Sequence, residues 1–143
     1  MVFEGIKVIA LEQAVAAPLC TRRLAQKGAE VIKIERETGD FARHYDSAVK
    51  GQSAYFVWLN GGKKSVVLNL EDEQHKSTLA SLVESADILV QNLKPGALSK
   101  LGFDLNDWHS NNPRLISCSI SGFAPDGPGF SRKAYDLLRL NVW

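Results

Sequence analysis

The chain has 143 residues, which is long enough for one domain with a buried core. Hydrophobic residues make up 45% and charged residues 23%, a composition typical of globular proteins that argues against disorder. The 17 Lys and Arg residues nearly balance the 16 Asp and Glu residues, so the formal charge of +1 gives no electrostatic case for a nucleic-acid partner.

The first half of the chain begins with two strand-like segments that flank a helix. Lys7–Leu11 is a short apolar run, and Val31–Glu35 alternates as a strand does. Ala17–Lys27 has a two-faced helical pattern, and Gly28 supplies a stop signal at its end. Residues 36–58 have a looser character, and no regular element is predicted there.

The second half continues the alternation of strands and helices. The clearest helical pattern in this half is at Glu71–Ser85, which has apolar residues at i, i+3, i+4 and i+7 spacing and acidic residues in its first turn. A Pro-Gly pair starts a short helix at Pro95, since proline suits the first helical turn. In chain order, we predict strand Ser65–Leu70, helix Glu71–Ser85, strand Asp87–Val90, loop Asn92–Gly96, a helix to Leu101, helix Leu105–Ser110, strand Arg114–Ile120, an exposed turn at Gly122–Gly129 and a helix from Lys133.

Strands that alternate with helices predict a doubly wound, Rossmann-like parallel α/β fold. Ligands of such sheets bind beyond the carboxyl ends of the strands. The segments expected around that crevice are Glu12–Pro18, Glu35–Asp40, Gln91–Gly96 and Ser121–Lys133.

Several classes of site and segment are not indicated. No apolar run approaches the roughly 20 residues of a membrane span and no signal peptide precedes Phe3, so a cytoplasmic location is expected. The cysteines and histidines have no metal-ligand spacing, and we predict no metal site. Lys63-Lys64-Ser65 follows two glycines but lacks the phosphate-loop spacing, so a turn is favoured there. No Gly-x-Gly-x-x-Gly follows the first strand, which argues against a nicotinamide cofactor.

The order and spacing of many short phrases resemble the class III CoA-transferase family, the group of formyl-CoA transferase, carnitine CoA-transferase and α-methylacyl-CoA racemase. The phrases are Gly5–Glu12, Ala16–Pro18, Gly28–Arg36, Gly39–Asp40, Asn60–Ser65, Ala86–Asn92, Pro95–Leu98, Leu101–Gly102, Asn112–Ile116, Ser119–Phe123, Gly127–Pro128 and Lys133–Asp136. The resemblance implies that residues 1–143 are the CoA-binding N-terminal portion of a larger domain. It also implies a homodimer of two interlocked rings.

The resemblance further implies that coenzyme A or an acyl-CoA is bound as substrate, with no tightly held cofactor. Adenine and ribose would lie near Val15, Ala16, Arg36 and Leu68, and the phosphates and pantetheine arm near Asn92, Leu93, Lys100 and Lys133. The phosphate charges favour cationic partners and helix N-termini. From the residues alone, a surface charge is the favoured interpretation of Arg36, because a lone Arg after a strand is usually exposed to solvent, and only the resemblance favours ligand contact. Lys100 is equally consistent with a cation at a helix C-terminus.

The implied reaction moves CoA between carboxylic acids, through a nucleophilic Asp that is expected downstream of Trp143. Asp136 matches a different carboxylate near the active site. The sequence around Glu12–Pro18 and Asp40–Tyr45 hints at short dicarboxylates such as itaconate or mesaconate. The alternatives are a non-catalytic CoA-binding remnant and a 2-methylacyl-CoA racemase. Tyr135 disfavours racemisation because it stands where racemases of the family carry a catalytic His.

Overall fold

The computed structural model describes residues 1–124, 127–130 and 132. The elements, in chain order, are β1 (Lys7–Leu11), α1 (Ala16–Gln26), β2 (Glu30–Glu35), a 3₁₀ helix (Phe41–His44), α2 (Ala54–Asn60), β3 (Lys64–Val67), α3 (Glu73–Glu84), β4 (Ile88–Gln91), α4 (Ala97–Lys100), α5 (Leu105–Asn111) and β5 (Ile116–Ser119). The helix predicted from Lys133 lies outside the described residues.

The five strands form one parallel sheet in the order β3-β2-β1-β4-β5. The strand order reverses at β1, because β2 and β3 lie on one side of it and β4 and β5 on the other. The predicted doubly wound fold is therefore confirmed. A crevice forms at such a reversal, outside the carboxyl ends of the strands.

Two apolar clusters cover the two faces of the sheet. One face carries Ile9, Leu11 and Ile34 and packs against α3, α4 and α5. The opposite face carries Val8, Ala10 and Val31 and packs against α1. Successive side chains of a strand point to opposite faces, so each strand divides its apolar residues between the two clusters. The residues at the carboxyl ends of β1 and β2 alternate between the same two faces.

The start of α1 and the glycine stop after it follow the sequence pattern closely. α1 ends at Gln26, and Lys27 caps it. Gly28 then has φ +104, a conformation that L side chains rarely adopt. The predicted helix boundary is correct to one residue at each end, because the glycine requirement is local and visible in the sequence.

Several predicted boundaries are wrong. The fifth strand spans Ile116–Ser119 instead of Arg114–Ile120. The third strand ends at Val67 instead of Leu70, although the Leu68 N–H still donates to the Glu35 carbonyl at 2.9 Å. α3 begins at Glu73, since the Asp72 side chain accepts from two N–H groups of the first turn and so acts as the cap.

The short helix α4 begins after Pro95 rather than at it. Gly96 precedes the helix with φ 74, a left-handed conformation that no helical residue adopts, so α4 starts at Ala97. The region 36–58 also differs from expectation, because it contains the 3₁₀ helix and the start of α2. Among the described residues, no helix is long and apolar enough to cross a membrane.

Candidate functional site

A cavity of about 440 Å³ opens at the carboxyl ends of β1, β2 and β3. Its apolar lining comes from the face of the sheet that packs on α3, with contributions from the loops after β3, β4 and α4. The apolar lining residues are Leu11, Ile34, Leu68, Leu70, Leu93 and Leu101. A floor of this kind excludes water from the flat or aliphatic part of a ligand.

The polar side of the same cavity carries charges of both signs. Arg36 lines it, and its Nη2 donates to Gln13 Oε1 at 2.9 Å. Glu37 and Glu71 also line it, and both are exposed. A phosphate would therefore be attracted to the part of the wall formed by Arg36 and repelled from the part formed by the two glutamates.

The loop between β1 and α1 is held in place from two sides. The Asn92 side chain accepts from the Gln13 N–H at 2.8 Å and donates to the Gln13 carbonyl at 2.8 Å. The next residue, Ala14, has φ 63, and its N–H donates to Asp40 Oδ1 at 3.1 Å. Left-handed backbone is unfavourable for alanine and persists only where neighbouring groups hold it.

This loop leads into the N-terminus of α1. Val15 is the cap residue, and its side chain makes no capping hydrogen bond. Ala16, the first helical residue, is exposed. A helix N-terminus without a side-chain cap offers N–H groups and the positive end of the dipole to an anion.

Behind the loop, on the α1 face of the sheet, lies a chain of four buried charges. Lys63 Nζ lies 2.6 Å from Glu12 Oε1, and the same oxygen lies 3.5 Å from Lys33 Nζ. Lys33 Nζ in turn lies 2.8 Å from Asp40 Oδ2. Each of these side chains is at most 2% exposed. Burial lowers the pKa of Lys63, against the opposing effect of Glu12.

A second ion pair flanks this chain. Burial raises the pKa of Glu35, but its hydrogen bonds outweigh that effect and lower it to about 2. Arg43 donates to both carboxylate oxygens, from Nε at 2.9 Å and from Nη2 at 2.8 Å. Ser65 Oγ and the Asp40 N–H add bonds of 2.8 Å and 3.0 Å. The four bonds together explain why this buried carboxyl group stays ionised.

The residues predicted to contact CoA fall into three groups. Arg36, Leu68 and Leu93 line the cavity. Val15 and Ala16 start α1 beside it, and Asn92 clamps the loop that precedes them. Lys100 is the last, exposed residue of α4 and does not line the cavity, although the adjacent Leu101 does. Lys133 and Asp136 lie outside the described residues.

Sequence reasoning missed the polar partners of the site. Gln13 lines the cavity and bonds Arg36, and Asp40 bonds the Ala14 N–H. The available signal was Lys33, a charged residue between two isoleucines in the middle of β2, because a lysine buried inside a sheet must have a partner. Within the described ranges, no group of three or more His, Cys, Asp or Glu side chains is arranged to hold a metal ion.

A family model described as CoA-transferase family III matches residues 3–141. The chain belongs to CoA-transferase family III. The predicted resemblance is thereby confirmed. The match covers the cavity, the β1–α1 loop and the buried charges together.

Two curated relatives have similar sequence identity to this chain, and in both the match covers nearly all of this chain but only about a third of the relative. The chain is 42% identical over 137 residues to the acetyl-CoA:oxalate CoA-transferase of Acetobacter aceti, covering 95% of this chain and 35% of the relative. It is 38% identical to a formyl-CoA:oxalate CoA-transferase of Streptomyces avermitilis, covering 94% and 33%. The chain therefore spans about a third of the length of the curated relatives it matches.

Solved structures agree with the fold. A crystal structure of a Mycobacterium tuberculosis protein, a probable fatty acyl-CoA transferase, superposes with a TM-score of 0.89 at 37% identity, covering 95% of this chain and 39% of that one. A CAIB/BAIF family protein from Brucella suis gives 0.86 at 36% identity, covering 94% and 37%.

Proposed function

We propose that this chain forms the CoA-binding part of an enzyme that transfers CoA between carboxylic acids. The observation that carries the proposal is the cavity of about 440 Å³ with a leucine floor and Arg36 in its wall, at the carboxyl ends of the strands. CoA combines a flat adenine and an aliphatic arm with several phosphate charges. A cavity with an apolar floor and a guanidinium suits that combination.

Within this proposal, the predicted residues that line the cavity or start α1 have defined parts. Leu68 and Leu93 contact apolar parts of the ligand, and Arg36 pairs with a phosphate. The start of α1, at Val15 and Ala16, offers its N–H groups to an anion. Lys100, Lys133 and Asp136 remain proposals without support from the cavity lining.

The acids that exchange CoA are proposed to be short dicarboxylates. Two relatives are named for oxalate, the shortest of that class. Itaconate and mesaconate are the branched and unsaturated members that the sequence indicated. The nucleophilic aspartate is proposed to lie downstream of Trp143, and the whole enzyme is proposed to be a homodimer. In that case this chain supplies binding, and acyl transfer requires the remaining sequence.

The binding test uses the purified 143-residue chain and free coenzyme A in a calorimetric titration. Arg36→Gln is expected to weaken binding about tenfold, because a charged hydrogen bond to phosphate is worth roughly 1.5–3 kcal/mol and an exposed one falls at the low end. Arg23→Gln is the matched control, since Arg23 is exposed at the far end of α1. Equal affinities for all three proteins would refute the assignment of Arg36.

A second variant tests the sign of the local charge. Glu37 shares the cavity wall with Arg36, so an anionic ligand is repelled by it. Glu37→Gln is therefore expected to tighten CoA binding two- to threefold at low salt, and the gain should shrink at high salt. An unchanged affinity at low salt would mean that the phosphates bind elsewhere.

Activity distinguishes the transferase from its alternatives. Acid-dependent exchange of CoA among oxalate, succinate, itaconate and mesaconate would support the transferase. This assay uses the complete enzyme, because acyl transfer is proposed to require the sequence downstream of Trp143. Binding of CoA without exchange by that enzyme would support the non-catalytic alternative. Entry of solvent deuterium at the α-carbon of a 2-methylacyl-CoA would support the racemase instead.

A further inference from the structure

The chain of buried charges carries a desolvation penalty that apolar packing at the same positions would avoid. It is formed by Lys63, Glu12, Lys33 and Asp40. Four ionised groups that are at most 2% exposed lose their hydration, and well-packed apolar side chains of similar volume are often as stabilising. Neither end of the chain of charges is a surface ion pair. A role in fixing one particular local geometry accounts for such an arrangement better than a contribution to stability.

The Asp40 end of this chain reaches the β1–α1 loop. One oxygen, Oδ2, binds Lys33 Nζ at 2.8 Å. The other, Oδ1, accepts from the N–H of Ala14 at 3.1 Å and from the N–H of Ala42 at 2.9 Å. Lys33 is itself buried and leans toward the ring of Phe56, with Nζ 5.9 Å from its centroid. The Asp40 carboxylate is thus oriented on both oxygens and directs one of them at a single loop amide.

The loop amide that Asp40 holds is the strained one. Ala14 has φ 63, a conformation that is roughly five- to thirtyfold less populated for an alanine than ordinary backbone. It stands between Gln13, which bonds Arg36 in the cavity wall, and Val15, which caps α1. A rotation of the backbone at Ala14 would move both neighbours, and with them the cavity wall and the helix start.

We propose that Asp40, oriented by Lys33, is a positioning residue for the CoA site and keeps Ala14 in its left-handed conformation. This inference rests on the proposed function. Asp40 acts through the loop, since its carboxylate oxygens are already engaged by Lys33 and two backbone N–H groups. The loop is then ready for ligand before ligand arrives, which raises the fraction of binding-competent protein.

The test begins with Asp40→Asn. The amide has one acceptor oxygen in place of two and turns an NH₂ group toward Lys33, so it cannot hold both Lys33 and the Ala14 N–H. We expect about tenfold weaker binding of free coenzyme A and about tenfold faster hydrogen exchange at the Ala14 amide, measured by NMR. Adding Ala14→Gly should restore about fivefold of the lost affinity, because glycine adopts this φ without a steric cost.

A merely structural role for Asp40 predicts a different pattern. Val8→Ala is the matched control, because Val8 is fully buried near the amino end of β1, whereas the cavity lies at the carboxyl ends of the strands. That variant should destabilise the fold but leave CoA affinity and Ala14 exchange unchanged. If Ala14→Gly fails to restore affinity to Asp40→Asn, or if Val8→Ala weakens binding equally, the inference is overturned.

A second variant keeps the test decisive if Asp40→Asn does not fold. Ala14→Val leaves every buried charge in place but puts a β-branched residue at φ 63, so it should weaken CoA binding at least tenfold. Full affinity in Ala14→Val would overturn the inference. If the wild-type chain binds no coenzyme A, the proposed function fails. The inference about Asp40 is then decided by exchange alone, and an unchanged Ala14 rate in Asp40→Asn overturns it.

Discussion

Replacing Glu35 by Gln should remove a pH-dependent part of the stability of the fold. Glu35 is 5% exposed and receives two hydrogen bonds from Arg43, with a third from Ser65. A neutral amide has one acceptor oxygen in place of two and cannot accept the paired bonds of a guanidinium. The substitution keeps the size of the side chain, so the change isolates charge and hydrogen bonding from packing.

The magnitude follows from the pKa of this carboxyl group. Hydrogen bonding outweighs burial and lowers the pKa from 4.5 to about 2. At about 1.4 kcal/mol per pKa unit, a lowering of this size corresponds to roughly 3 kcal/mol of stability above pH 4.5. The Arg43 side chain is 40% exposed, so solvent screening reduces the expected value to about 2 kcal/mol. Because the pKa is depressed in the folded state, this stability is present above the unfolded-state value and is lost as the pH falls toward 2.

The measurement is the free energy of unfolding in urea at pH 7, 5 and 3 for wild type and Glu35→Gln. The difference between the two proteins should be about 2 kcal/mol at pH 7 and pH 5 and should fall to less than half of that at pH 3. Glu84→Gln, an exposed position on α3, is the control and should differ little from wild type at any pH. A difference for Glu35→Gln that stays constant from pH 7 to pH 3 would refute the reasoning.

Three further changes test the packing and the caps. Trp108→Ala should cost about 3–5 kcal/mol in urea unfolding, because Trp108 is 5% exposed and stacks on Phe103 at 5.1 Å; a cost under 1 kcal/mol would contradict its place in the core. Asp72→Ala should cost about 1 kcal/mol through loss of the α3 cap, and unchanged helical circular dichroism and stability would argue against that cap. Gly28→Ala should lower stability by about 1–2 kcal/mol, since φ is +104 there and the new Cβ would lie 2.7 Å from Met1 Cβ; a melting temperature equal to wild type would show that the turn relaxes freely.

The strands and the principal helices were predictable because their signals are local. β1 is a nearly continuous apolar run, as strands of a parallel sheet covered on both faces are, and β2 alternates because Lys33 and Glu35 share one of its faces. The helical spacing in α3 continues over three turns. The segment 36–58 was missed because α2 has seven residues, too few to be stable without its packing against α1 and the contact of Arg43 with the Phe56 ring.

The candidate site was predictable only where it coincides with a strand end. Arg36 follows β2, so the rule for parallel sheets placed it at the crevice, and it lines the cavity. Leu68 also lines the cavity, but it was assigned by resemblance, because the predicted strand extended past it to Leu70. Lys100 was assigned by resemblance, and no strand-end rule constrains a residue at the end of a four-residue helix. Its side chain therefore lies away from the cavity lining that contains its neighbour.

The amino-acid sequence by itself determined the family, the parallel α/β class and the order of the strands along the chain, because spacing and periodicity survive in one dimension. The tertiary structure alone decided which charges meet. Lys63 lies 51 residues from Glu12 in the sequence, and Asn92 lies 79 residues from Gln13, yet each pair is within hydrogen-bonding distance. Burial makes such pairs necessary, since an unpaired charge inside the protein is too costly to retain. Which groups meet depends on which strands lie side by side in the sheet. That lateral order is a property of the folded sheet and is not visible in the order of the strands along the chain.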